Sequence, residues 1–142
     1  CDLIVAARDA KFGLPEVKRG LAASAGGLLR LPNRLPYHVA MECILTGDMF
    51  GAERFAQLGL VNRLTEPGGA LDAALALAQA IAVNGPLAVA ASKQVASQSG
   101  KWPLAEMFDR QAEITAPVFS SQDAREGAAA FAEKRPPVWK GA

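Results

Sequence analysis

Cysteine and histidine are scarce, with Cys1, Cys43 and His38 making up the whole supply. Neither thiol stands in a metal-ligand spacing, and two cannot build the dense disulfide framework of a small secreted domain. Two reduced thiols in a cytoplasmic protein are therefore expected, with no bound metal. His38, with no second histidine and no orienting partner, reads as a structural or surface residue. Charge of one sign is missing too. The 15 Lys and Arg nearly balance the 14 Asp and Glu, leaving a net +1 with no like-charge block. Neither nucleic acid nor a membrane surface is an expected partner. No apolar run approaches the ~20 residues of a membrane span, and no basic-then-apolar leader opens the chain. The stretch Ala25-Gly26-Gly27 lacks the spacing and the Lys-Ser/Thr pair of a phosphate loop. An initiator methionine is absent as well, because the chain opens on Cys1 beside a strand-like run.

What is present is a core-forming composition, 51% hydrophobic and 20% charged over 142 residues, enough for a domain with a usable core. Three short apolar runs read as strands: Leu3 to Ala7, Ala10 to Phe12 and Leu60 to Leu64. Helices are expected from Pro36 to Leu45, where Pro opens and Thr46-Gly47 closes, and from Ala52 to Leu58 with Gly59 as a left-handed cap. Further helices are expected over 70–83 and 86–97, the second buried through its first turns. Another, carrying Leu104, Met107, Phe108 and Ile114, should place Met107 and Phe108 in the core. Ser120 and Asp123 read as a capping box before a last helix from Arg125 to Lys134. Glu66-Pro67-Gly68-Gly69 is the best boundary, separating residues 1–66 from a helical region, 67–142.

One stretch organises the rest. Phe12-Gly13-Leu14-Pro15-Glu16 sets a single carboxylate just past a strand, and Pro15, which fixes φ, is expected to present it on a stiff, non-helical connection. Gly26-Gly27 then let the chain turn closely before Leu28-Leu29-Arg30-Leu31. Lys18 and Arg19 either pair with Glu16 or form a solvated face.

The order of these words resembles the enoyl-CoA hydratase/isomerase (crotonase) superfamily. It is carried by Cys1-Asp2-Leu3-Ile4-Val5-Ala6, Ala10-Lys11-Phe12-Gly13-Leu14-Pro15-Glu16, Ala25-Gly26-Gly27 and Arg30-Leu31-Pro32. It continues through Leu45-Thr46-Gly47-Asp48, Leu58-Gly59-Leu60-Val61-Asn62 and Arg125-Glu126-Gly127 to Phe131-Ala132-Glu133-Lys134-Arg135. The match covers the family's C-terminal half only. It implies an α/β fold, the end of a crotonase-like ββα spiral core followed by a helical C-terminal region, and points to a truncated product.

The resemblance implies an acyl-CoA thioester substrate, with no cofactor beyond the coenzyme A that is part of it. In the family two backbone amides hold the thioester oxygen while a carboxylate moves a proton at Cα. Glu16 stands at that carboxylate's position. Leu14 and Pro15 would line the acyl side, although Leu14 is equally read as ordinary packing. Phe131 and Lys134, three apart on one helix face, stand where the family contacts the CoA adenine and phosphates; without the resemblance they read as core and surface charge. A homotrimer or hexamer is implied. Two departures stand out: Ala23-Ser24 where Pro-Gly is commoner, and Leu28-Leu29 after the Gly turn. Ser24 would have to supply the backbone N–H that holds a water, so hydratase, isomerase and a non-catalytic acyl-CoA-binding or assembly role all remain open. The second acid and both amides would lie before Cys1. Losing one such donor costs roughly 3 kcal/mol, so these residues alone are expected to be inactive.

Overall fold

The computed structural model describes residues 1–142, which divide into two compact units, Cys1–Leu77 and Ala78–Ala142. In the first, strand β1 (Val5–Ala7) pairs in parallel with β4 (Arg63–Thr65), and β2 (Lys11–Phe12) pairs antiparallel with β3 (Phe50–Gly51). These ladders are shorter than the apolar runs suggest. At Ile4 the ladder gives way to a side chain: its N–H donates to Asn62 Oδ1 at 2.8 Å and its carbonyl accepts the Asn62 N–H at 2.8 Å. Leu60 and Val61 donate back to the Phe55 carbonyl, which shifts the expected last strand to Arg63.

Helices α1 (Gly27–Arg30), α2 (Tyr37–Thr46) and α3 (Ala52–Gln57) complete this part of the chain. Pro36 is the N-cap of α2, its carbonyl accepting from Val39 and Ala40, and Gly47 ends the helix at φ 65°. Gly59 takes φ 79° after α3, the left-handed geometry expected there. The core gathers Ala6, Leu35, Ala40, Cys43, Ala52, Phe55 and Val61. Phe55, 1% exposed, is its largest member. The rings of Phe12 and Phe50 meet it edge-on at 5.4 and 6.2 Å between centroids, a geometry that the ring quadrupole favours.

Helix α4 (Ala70–Ala82) contains the division between the units and has no buried residue. The second unit holds α5 (Pro86–Gln98), α6 (Met107–Phe119) and α7 (Gln122–Glu133). No single helix is long and apolar enough to cross a membrane. Three expectations fail here. Only Ala91 of α5 is buried, not the whole of its first turns. Phe108 is 82% exposed rather than core, because a helix's apolar stripe needs a neighbour to cover it. The α7 cap is Ser121, not Ser120: Ser121 Oγ accepts the Ala124 N–H at 2.9 Å. Asp123 lies inside the helix and serves another purpose, described below.

Candidate active site

The candidate acid is fixed from three sides. Gly13, directly after β2, has no room for a Cβ, which would stand 2.6 Å from both the Asp48 carbonyl and Met49 Sδ. Leu14 follows, and Pro15 then opens a 3-10 helix, Pro15–Arg19, with Glu16 in its first turn. The connection is therefore helical, correcting the expected non-helical one; proline's fixed φ suits the first position of a helix as well as a turn. Gly20 closes it in the left-handed region, and the Leu21 N–H donates to the Glu16 carbonyl at 3.1 Å.

This short helix rests on the end of α2. A Cβ on Gly47 would meet Val17 Cγ2 at 2.9 Å. Lys18 Nζ donates to Asp48 Oδ1 at 2.5 Å, and that bond holds the Asp48 carboxyl below its usual range. Lys18 is thus engaged away from Glu16. Glu16 Oε2 is buried and has no hydrogen-bond partner. Most buried polar atoms are paired, so this orphaned acceptor is the feature of the turn that folding alone does not account for.

The Gly turn packs against the same segment. Gly26 sits at φ 98°, closed to most side chains, and a Cβ on Gly27 would stand 2.8 Å from Leu14 Cδ2. Leu14 thus lies over a bare backbone, half-buried beside the half-buried Pro15. Ser24 is exposed and its N–H already donates to the Ala22 carbonyl at 2.8 Å; a water held by that N–H would have to share it. A cleft of about 450 Å³ shares Gly26 and Gly27 with this turn, with further walls from Cys1, Ile4, Arg30, Arg34 and Leu60. Glu16 does not line it.

His38 is exposed, edge-on to Tyr37 at 5.8 Å. Cys43 is buried, and burial pushes its thiol up, away from nucleophilic character.

In the second unit, Phe131 is 88% exposed and not a core residue. Lys134 does not share its helix face: α7 ends at Glu133, and Lys134 is the C-cap at φ 54°, ψ 39°. Sequence reasoning missed what surrounds them. Arg135 grips both Glu126 carboxylate oxygens, at 2.6 and 3.0 Å, and Glu133 at 2.6 Å. The tail folds back along α7. The Val138 N–H donates to Glu126, and the N–H groups of Lys140 and Gly141 donate to the two oxygens of Asp123 at 2.7 and 2.9 Å. Asp123 is 5% exposed. The signal was a helix-start carboxylate followed, past Pro136-Pro137, by a lone Trp near the end of the sequence.

The chain matches the enoyl-CoA hydratase/isomerase family over residues 1–142 and belongs to it. Among solved structures it is similar to an enoyl-CoA hydratase of Mycobacterium marinum, at 62% identity and a TM-score of 0.97, covering 99% of this chain and 56% of that one. An enoyl-CoA hydratase of Mycobacterium tuberculosis is similar at 61% identity and a TM-score of 0.97, covering 100% and 56%. Carnitinyl-CoA dehydratase of Escherichia coli is 42% identical over 99% of this chain and 55% of its own length. The chain thus spans about half the length of the relatives it matches. The mixed α/β architecture with a helical C-terminal region is that of these neighbours.

Proposed function

We propose that the whole protein is a cytoplasmic hydratase of 2-enoyl-CoA thioesters. The oxygen of a water bonds to Cβ as another base takes one of its protons, and the carboxylic acid of Glu16 then gives its proton to Cα. Between these events the thioester oxygen carries the enolate charge, held by N–H groups that the family resemblance places before Cys1. Run backwards, the same steps dehydrate a 3-hydroxyacyl thioester, which is consistent with the dehydratase name of a 42% identical relative. The carrying observation is the buried Glu16 Oε2 without a partner. A carboxyl that spends no hydrogen bond on its own fold is left to exchange a proton with a ligand. Phe131 and Lys134 are proposed to contact the CoA adenine and phosphates, and exposed Phe108, Phe119 and Phe131 to be covered in a trimer or hexamer.

A second reading rests on Ser24. Its N–H is used by Ala22, which weakens the water site and favours Δ3-Δ2 isomerisation, in which Glu16 carries one proton between carbons. Assaying the complete gene product and its Glu16→Gln variant on 2-enoyl- and 3-enoyl-CoA tests both. Hydratase activity on the 2-enoyl substrate, falling at least about 100-fold in the variant with CoA-thioester binding retained, is expected. Turnover unchanged by the substitution would reject the role of Glu16, and turnover of the 3-enoyl substrate alone would select the isomerase.

A further inference from the structure

No whole residue of the short helix Pro15–Arg19 is buried, so a core does not hold its acid in place. The turn after α2 does. With three residues to a turn, Glu16, Val17 and Lys18 leave the 3-10 helix on three different sides, and two of those sides are seated. Both Val17 and Lys18 rest over bare Gly47: a Cβ there would meet Val17 Cγ2 at 2.9 Å, Lys18 Cγ at 3.1 Å and Lys18 Cε at 3.4 Å. Past Gly47 the lysine ammonium donates to Asp48 Oδ1 at 2.5 Å. On the other side of the acid in sequence, Gly13 meets the same turn, at the Asp48 carbonyl and Met49 Sδ. Residues 47–49 thus hold the chain both before and after Glu16.

Asp48 is in turn tied to α2. The Thr46 hydroxyl donates to the Glu42 carbonyl at 2.7 Å and accepts the Asp48 N–H at 3.1 Å. A continuous run of bonds therefore starts in the last turn of α2, a helix anchored by buried Ala40, Cys43 and Ile44. It passes through the Thr46 hydroxyl and the Asp48 carboxylate to the Lys18 ammonium, two residues from the acid. Both side chains of the ion pair are about half exposed, at 51% and 57%, and such a pair contributes little to stability. Geometry is where it can matter, because a group that moves a proton in the transition state loses roughly 100-fold in rate when misplaced by about 1 Å.

We infer that Lys18 and Asp48 are positioning residues for Glu16: their bond ties the acid-bearing helix to the last turn of α2 and so sets where the Glu16 carboxyl lies for proton transfer at Cα. The inference rests on the acyl-CoA reading above and holds for hydration and isomerisation alike, since both use Glu16. It is tested on the complete gene product by measuring kcat and KM on whichever enoyl-CoA it turns over, with the melting temperature alongside. Asp48→Asn and Lys18→Met are each expected to lower kcat about tenfold, the effect of a displacement smaller than 1 Å, with KM and melting temperature held. The double variant should lose no more than either single one, and Lys18→Arg, which keeps the charge and the reach, should retain kcat. In a Glu16→Gln background Asp48→Asn should cost nothing further, because the pair acts only through the acid. Lys18→Met stands in for Asp48→Asn in both backgrounds if that variant does not fold. Unchanged kcat in both single variants, or an equal further loss in the Glu16→Gln background, would overturn the positioning role and leave the acyl-CoA reading intact. So would a fall in kcat matched by a fall in melting temperature, which marks the pair as structural only. Turnover unaffected by Glu16→Gln would overturn the inference together with the role of Glu16.

Discussion

Leu14 occupies the place where a side chain on Gly27 would begin: its Cδ2 lies 2.8 Å from the position of a Cβ there. The acid-bearing helix and the glycine turn are thereby locked together by one leucine over one bare backbone. Gly27→Ala is expected to overpack this contact and to destabilise the fold by about 1–3 kcal/mol. Adding Leu14→Ala should recover part of that loss, since the two substitutions share one space. Chemical denaturation of the four proteins of this cycle measures the coupling, and strictly additive losses would show that the contact is not what excludes a side chain at 27.

Phe55 anchors the three-ring cluster with Phe12 and Phe50. Phe55→Ala should cost about 3–5 kcal/mol, the range for deleting a buried aromatic ring. Urea unfolding gives the number; a loss under about 1 kcal/mol would mean the site collapses around the vacancy.

Acid should loosen the tail before it unfolds the core. The Arg135 fork, and then the Val138 N–H, pull the Glu126 carboxyl down from 4.5 to about 2. A folded value below the unfolded one stabilises the fold above about pH 4.5, and that stabilisation is lost as pH falls toward about 2. Melting temperature plotted against pH should therefore fall less steeply across this window in Glu126→Gln than in the unmodified protein. Parallel curves would remove Glu126 from the acid response.

The two thiols should behave oppositely toward a thiol reagent. Cys1 is exposed and Cys43 is buried, so Cys1 is expected to react at once and Cys43 only on opening of the first unit. Stopped-flow labelling with and without denaturant separates the two phases. A fast reaction at Cys43 in native buffer would contradict its place in the core.

Much of this fold is written in local chemistry, and that part was legible. Pro36, Gly47, Gly59 and Pro86 punctuate the helices within a residue or two of where they end, because each acts on its own φ. Strand β3, Phe50–Gly51, was not visible, since two residues carry no periodicity and it exists only through pairing with β2. Phe108 was misplaced because amphipathicity says which face is apolar, not whether anything covers it. At the site, the sequence located Glu16 just past a strand, but the bare Oε2 depends on what every neighbour does with its own hydrogen bonds. Asp123 was read as a capping residue because its true partners, the N–H groups of Lys140 and Gly141, come 17 and 18 residues later in the chain, past the end of α7, and reach it only because the tail folds back.

Trp139 hangs from that arrangement, its ring 3.7 Å from where a Cβ on Gly85 would stand and 3.3 Å from where one on Gly127 would, and its N–H bonded to the Val83 carbonyl. An indole in such a place is an optical gauge. Its emission reports whether the tail is seated, so a Trp102→Phe background would turn the docking of the tail on α7 into a signal that can be followed in real time as the pH falls.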